Sequence, residues 1–82
     1  MLVPLQIPPP PEVLRHLRDR VHERAITVED LELLRLWVAT GPRVPHGEPW
    51  FKRFPNFLLC GRGAVCTTLL RAGQLPRGNE VF

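Results

Sequence analysis

The sequence predicts an α+β fold in three parts. These are a Pro-rich extended arm (residues 1–10), an antiparallel two-helix hairpin (11–40), and a basic loop and β region (41–82) whose small antiparallel sheet the hairpin covers. Three observations predict it. Apolar residues recur at helical spacing through 11–40 and stop at Gly41-Pro42. Beyond that point Pro and Gly cut the chain into short runs rich in Val, Thr and Phe, which favour strands. The 82 residues suffice for one small domain, and a domain of that size buries only about 60% of its unfolded surface.

In the arm, Leu2, Val3, Leu5 and Ile7 alternate loosely around Pro4, and four prolines follow at 8–11. Proline removes backbone donors and favours extended structure. Residues 1–7 therefore read as an extended arm suited to a sheet edge, its apolar side chains docking on the domain or on a second subunit. Pro11 suits a first helical turn, where a missing N–H costs nothing, and Glu12 complements the helix dipole. Val13, Leu14, Leu17 and Val21 then make one stripe, with Arg15, Arg18, Asp19 and His22 opposite, so a helix runs from about 11 to 24.

Thr27 opens the second helix. Asp30 completes a capping box with it, and Ile26 and Leu31 form a hydrophobic staple. Leu31, Leu33, Leu34, Leu36, Trp37 and Val38 spread over more than half the circumference, which predicts a central helix buried on two sides, roughly 28 to 40. A link of two or three residues makes the pair an antiparallel hairpin. Gly41 to Pro49 reads as a loop, and Pro55 prevents a regular helix through 50–60. Asn56–Cys60 reads as a strand, Gly61-Arg62-Gly63 as a turn, and Val65–Leu70 as a second strand. A short helix over 64–72, closed by Gly73, is the alternative for that last segment. Glu80–Phe82 suits one more short strand.

Hydrophobic residues make up 44% and charged residues 23%, which argues against disorder and against a coiled coil. The longest apolar runs, Leu36–Ala39 and Phe57–Cys60, are too short to span a bilayer, so no membrane partner is expected. Met1–Pro11 lacks the basic and continuous apolar regions of a secretory signal, and two cysteines make no disulfide framework. The expectation is a cytoplasmic protein with free thiols and no cofactor. Cys60 and Cys66 would face each other across a hairpin only if its loop were five residues long.

Charge is uneven. Residues 1–40 hold five Arg and six acidic residues, a net of −1, whereas residues 41–82 hold six basic and two acidic residues, a net of +4. Clustered positive charge attracts anions, phosphate most commonly. Arg43, Lys52, Arg53, Arg62, Arg71 and Arg77 are the candidate nucleic-acid contacts. Trp50-Phe51-Lys52-Arg53-Phe54 interleaves rings and cations as single-strand binders do. The competing reading puts those rings in the core with only the cations facing out.

The leading expectation is a non-enzymatic module that binds RNA or DNA. A protein-interaction module (an inhibitor, antitoxin or adaptor subunit) is the alternative, using the apolar arm and second helix against a partner or a second copy. A minimal ribonuclease or toxin is the third, with His46, Glu48 and Arg53 as the set that would supply a general base, a general acid and a cation. His46, Cys60 and Cys66 are zinc-binding residue types, but their C-x5-C spacing is unlike compact zinc knuckles. Gly61-Arg62-Gly63 fits a hairpin turn better than a phosphate nest, since no Lys-Ser/Thr follows it. The chain has no Ser, so a serine nucleophile is excluded. The readings differ in what they require: a contiguous positive face, an exposed apolar patch above about 400 Å², or convergence of His46, Glu48 and Arg53.

Overall fold

The computed structural model describes residues 1–82 and is α+β. In chain order the elements are β1 (Leu2–Pro4), α1 (Pro11–His22), α2 (Val28–Ala39), β2 (Arg43–Pro45), β3 (Pro49–Arg53), β4 (Phe57–Arg62), β5 (Val65–Arg71) and β6 (Asn79–Val81). Strands β5-β4-β3-β6 form one sheet, and β1 and β2 form a separate antiparallel ribbon. The segment 64–72 is strand rather than helix.

Both helices end and begin on local backbone chemistry. The α1 C-terminus is a Schellman motif: the Arg24 N–H donates to the Val21 carbonyl (3.0 Å) and the Ala25 N–H to the Arg20 carbonyl (2.9 Å). Arg24 takes the left-handed conformation there, at φ 61°, a position usually held by Gly. This stops α1 at His22, two residues short of the expected end, and leaves five residues, 23–27, between the helices.

At α2 the expected capping box is present: the Asp30 N–H donates to Thr27 Oγ1 (3.1 Å), and the Thr27 N–H donates to Asp30 Oδ2 (3.0 Å). Asn56, in the turn between β3 and β4, also donates to Asp30 Oδ2 (2.8 Å). The cap therefore ties α2 to the sheet. Burial pushes the Asp30 carboxyl up, but the hydrogen bonds from Thr27 and Asn56 outweigh it and hold it below its ordinary value.

The expectation of a central, doubly buried α2 is corrected. Only one layer covers it: Leu31, Leu34 and Trp37 pack on the core, while Leu33 and Leu36 stay half exposed. Helix packing runs through the sheet, with α1 lying on β5. Trp37 of α2 meets Phe54 edge-on at 6.1 Å and Trp50 at 6.3 Å, and Phe54 stacks on Phe57 at 4.8 Å. Trp50, Phe54 and Phe57 are all buried, so the core reading of these rings holds.

Local composition hides two strands. Residues 41–49, expected as loop, contain β2 because the arm pairs with it: Val3 opposes Val44, and the Leu5 N–H continues to the Pro42 carbonyl at 3.0 Å. The arm thus docks on its own chain and reaches the β4–β5 loop, where the Gln6 N–H donates to Ala64 (2.7 Å). β3, unassigned in the sequence reading, pairs antiparallel with β4.

The sheet is mixed rather than wholly antiparallel, because β6 runs parallel to β3. After β5 the chain crosses β4 and β3, about three strand spacings or 14 Å, to reach the far edge. Gly78 makes that landing close: a Cβ there would collide with the Pro49 carbonyl.

The β4–β5 loop is Gly63-Ala64, shorter than the expected Gly61-Arg62-Gly63 turn, and Arg62 pairs with Val65 across it. Gly63 supplies the positive φ (55°) at the first loop position. Cys60 pairs with Thr68 but Gly61 with Cys66, which leaves Thr67 as a bulge. The bulge lets Cys66 and Leu69, three residues apart, both enter the core.

Two outcomes follow from these ends. Arg24→Gly relieves the left-handed strain and should stabilise the fold by about 0.5 kcal/mol, roughly 2–4 °C in Tm by calorimetry. Asp30→Asn should lower the urea midpoint by the equivalent of about 1 kcal/mol at pH 7. Because the folded Asp30 carboxyl is depressed, its contribution is present above the unfolded value of about 3.9 and is lost as pH falls through the lower folded value. The gap between Asp30→Asn and the parent should therefore narrow as the pH is lowered below the ordinary carboxylate range.

Candidate functional site

The helices cover one face of the four-stranded sheet, and the crossing segment 72–78 runs over the other. Between that segment and the sheet lies a groove of about 350 Å³. Cys60, Thr68 and Leu70 line it from β4 and β5, and Leu75 lines it from the crossing segment. Arg62, the last residue of β4, and Arg77, just before Gly78, also line it. Thr67, pushed out by the bulge, adds a second hydroxyl.

No carboxylate lines this groove. Arg77 makes no ion pair, and Arg62 Nη1 makes only a long contact (3.4 Å) to the Gly47 carbonyl. The hydroxyls of Thr67 and Thr68 make only long bonds to carbonyls, of 3.5 and 3.4 Å. Two cations and two loosely held hydroxyls thus share one concave surface. That surface suits an anion, since a guanidinium grips phosphate or carboxylate oxygens with two parallel bonds.

The other predicted cations are placed elsewhere. Arg53 pairs with Glu80 (3.6 Å) and lies over the Phe51 ring (5.6 Å). Arg71 pairs with Glu23 (3.3 Å). Both stand at the end of the sheet opposite Arg62. The Lys52 ammonium sits 5.5 Å over the Phe54 ring, and Arg43 donates to the Leu2 carbonyl (3.0 Å) on the ribbon. Of the six, only Arg62 and Arg77 meet in the groove.

The three-residue nuclease set is not brought together. His46 is in the β2–β3 turn, its N–H on the Met1 carbonyl, and the nearby Glu48 accepts from Asn79 at 3.4 Å. Arg53 is at the far end of β3, about 16 Å of strand away. Nor do His46, Cys60 and Cys66 form a metal cluster: no three His, Cys, Asp or Glu side chains gather anywhere. The cysteines are free and face different surroundings, Cys60 the groove and Cys66 the core. With a two-residue loop, Cys66 pairs with Gly61 rather than with Cys60.

Burial pushes the Cys60 thiol up. Burial, with the neighbouring Cys60 adding to it, pushes Cys66 up to about 11. Neither is a thiolate near neutrality, so neither is an activated nucleophile. From the sequence alone Thr67 and Thr68 read as plain strand residues. The one local hint of the bulge was the broken alternation of Cys66-Thr67-Thr68-Leu69.

No protein-family model matches the chain, and neither a curated protein nor a solved structure does. No helix is long and apolar enough to cross a membrane.

The thiols give a direct check on the two faces. Native protein treated with a thiol-specific disulfide reagent at pH 8 should release one equivalent slowly, from Cys60, and the second only on unfolding. The slow phase should accelerate as pH rises, because the raised thiol must lose its proton first.

Proposed function

We propose that this chain is a small non-enzymatic module that binds the phosphates of nucleic acid at the groove beneath residues 72–78. One observation carries the reading: Arg62 and Arg77 line a carboxylate-free concavity without acidic partners of their own. Arg53 and Arg71, by contrast, are already held by Glu80 and Glu23. No His, Asp or Glu lines the groove, so general acid–base chemistry lacks its usual groups and binding is the better-supported role. Leu70 and Leu75 add apolar surface on which a base or sugar can rest.

Two phosphate contacts imply weak, sequence-tolerant binding with a shallow salt dependence. The slope of log K against log salt should lie near −1.4 for a single strand or −1.8 for a duplex. A second reading, a protein-interaction module, is favoured by the exposure of Val28, Leu33 and Leu36 along α2.

Fluorescence anisotropy with labelled single-stranded RNA and duplex DNA decides between them. Between about 50 and 200 mM salt, affinity should fall roughly tenfold. The double variant Arg62→Gln/Arg77→Gln should abolish most of the binding and flatten the slope, whereas Arg53→Gln/Arg71→Gln should change little. Absence of binding at the lower salt overturns the proposal and leaves α2 as the working surface.

A further inference from the structure

A second cavity, of about 140 Å³, lies on the opposite face of the sheet, where the arm, both helices and the sheet meet. Leu5 of the arm, Val13 and Leu17 of α1, Leu34 of α2, and Leu59 and Leu69 of the sheet define it. The Cys66 thiol is the sole side-chain heteroatom in its wall. Packed interiors hold few voids larger than a water molecule, so a space of this size is unusual for a core this thin. Its origin is in the fold. α1 packs on β5, α2 meets the sheet through Leu34 and Trp37, and the arm that closes the space is made stiff by Pro8–Pro11. Ile7 and Leu14, half exposed, stand at its mouth.

We propose that this cavity is a binding site for one small uncharged apolar molecule, an arene of benzene size or an alkyl group of about six carbons. Three features select that class. The volume is close to that of apolar cavities known to admit benzene, about 150 Å³. An ordered water needs two to four polar partners, and the wall offers one weak thiol, so the space is dry. Burial of Leu5, Val13, Leu59 and Leu69 removes any charged ligand from consideration, because an ion there would lose its hydration without a partner. The site is separate from the arginine groove and stands whether or not nucleic acid binds.

Methyl ¹³C–¹H spectra of the full chain, titrated with benzene, test it. The methyls of Val13, Leu59 and Leu69 should shift and saturate with a Kd near or below about 1 mM, while Val44 and Val81, which do not line the cavity, stay in place. Benzoate, the same ring with a charge, should produce no saturable shift at these cavity methyls, whatever it does at the arginine groove. Cys66→Leu and Leu17→Phe each fill the space, and either variant that keeps a dispersed spectrum should lose at least tenfold in benzene affinity. Shifts that do not saturate, equal response to benzoate, or undiminished binding in a folded filled variant would overturn the proposal. Should both variants unfold, the comparison of benzene with benzoate on the parent chain still decides it.

Discussion

The Trp50 indole can sit where it does only because position 61 carries no side chain. A Cβ on Gly61 would lie 2.5 Å from Trp50 Cε2 and 2.7 Å from the Val65 carbonyl oxygen. With that space open, Trp50 is fully buried and its Nε1–H donates to the Gly63 carbonyl at 2.8 Å. A buried indole without a partner would cost free energy, so this bond also selects the position of the tight loop. Gly63 in turn donates to the Glu48 carbonyl at 3.1 Å, fastening the entry to β3. Trp37 packs on the same ring from α2. Strand register, loop and helix docking therefore share one contact, and the groove inherits its shape from it, since Trp50 and Gly61 both contribute to its lining.

The parts legible in the sequence were those fixed by neighbours along the chain. Thr27 and Asp30 announce a helix start because the bonds that make a cap span three residues. Gly41-Pro42 announces an end for the same reason. The parts that stayed hidden depend on distant partners. Arg43–Pro45 is a strand only because Leu2–Pro4 lies beside it, and Asn79–Val81 can join β3 only because Gly78, with no side chain, lies directly against Pro49. The apolar breadth of α2 was misleading: residues such as Leu33 and Leu36 fit a buried position, but an 82-residue chain has no second layer to cover them. The candidate site was half visible. Arg62 and Arg77 were among the six cations, whereas Thr67 reaches the groove through a bulge that residue types alone do not specify.

Net charge counted along the sequence also differs from charge available in space. The +4 of residues 41–82 suggests a broad basic surface. Folding brings Glu23, from the other half of the chain, against Arg71, and aligns Glu80 with Arg53 across the β3–β6 pair. What remains concentrated is one pair of arginines at one end of the sheet. The same sheet separates two environments, a basic groove on one side and an apolar space on the other, and one cysteine lies in each, Cys60 in the first and Cys66 in the second.

The pairing of Leu2–Pro4 with Arg43–Pro45 has a consequence for the order in which the molecule comes together. It joins segments some forty residues apart, with both helices inside the closed loop. The entropy of closing such a loop is lost before the short ribbon returns any contact, so this step belongs late on the folding route. The α2 cap and the β3–β4–β5 meander need no such closure and can form first from local contacts. During synthesis the arm emerges before both helices yet finds its strand partner only after β2 has left the ribosome. The arm is thus among the last parts to be secured, and the apolar face it covers is open to solvent until then.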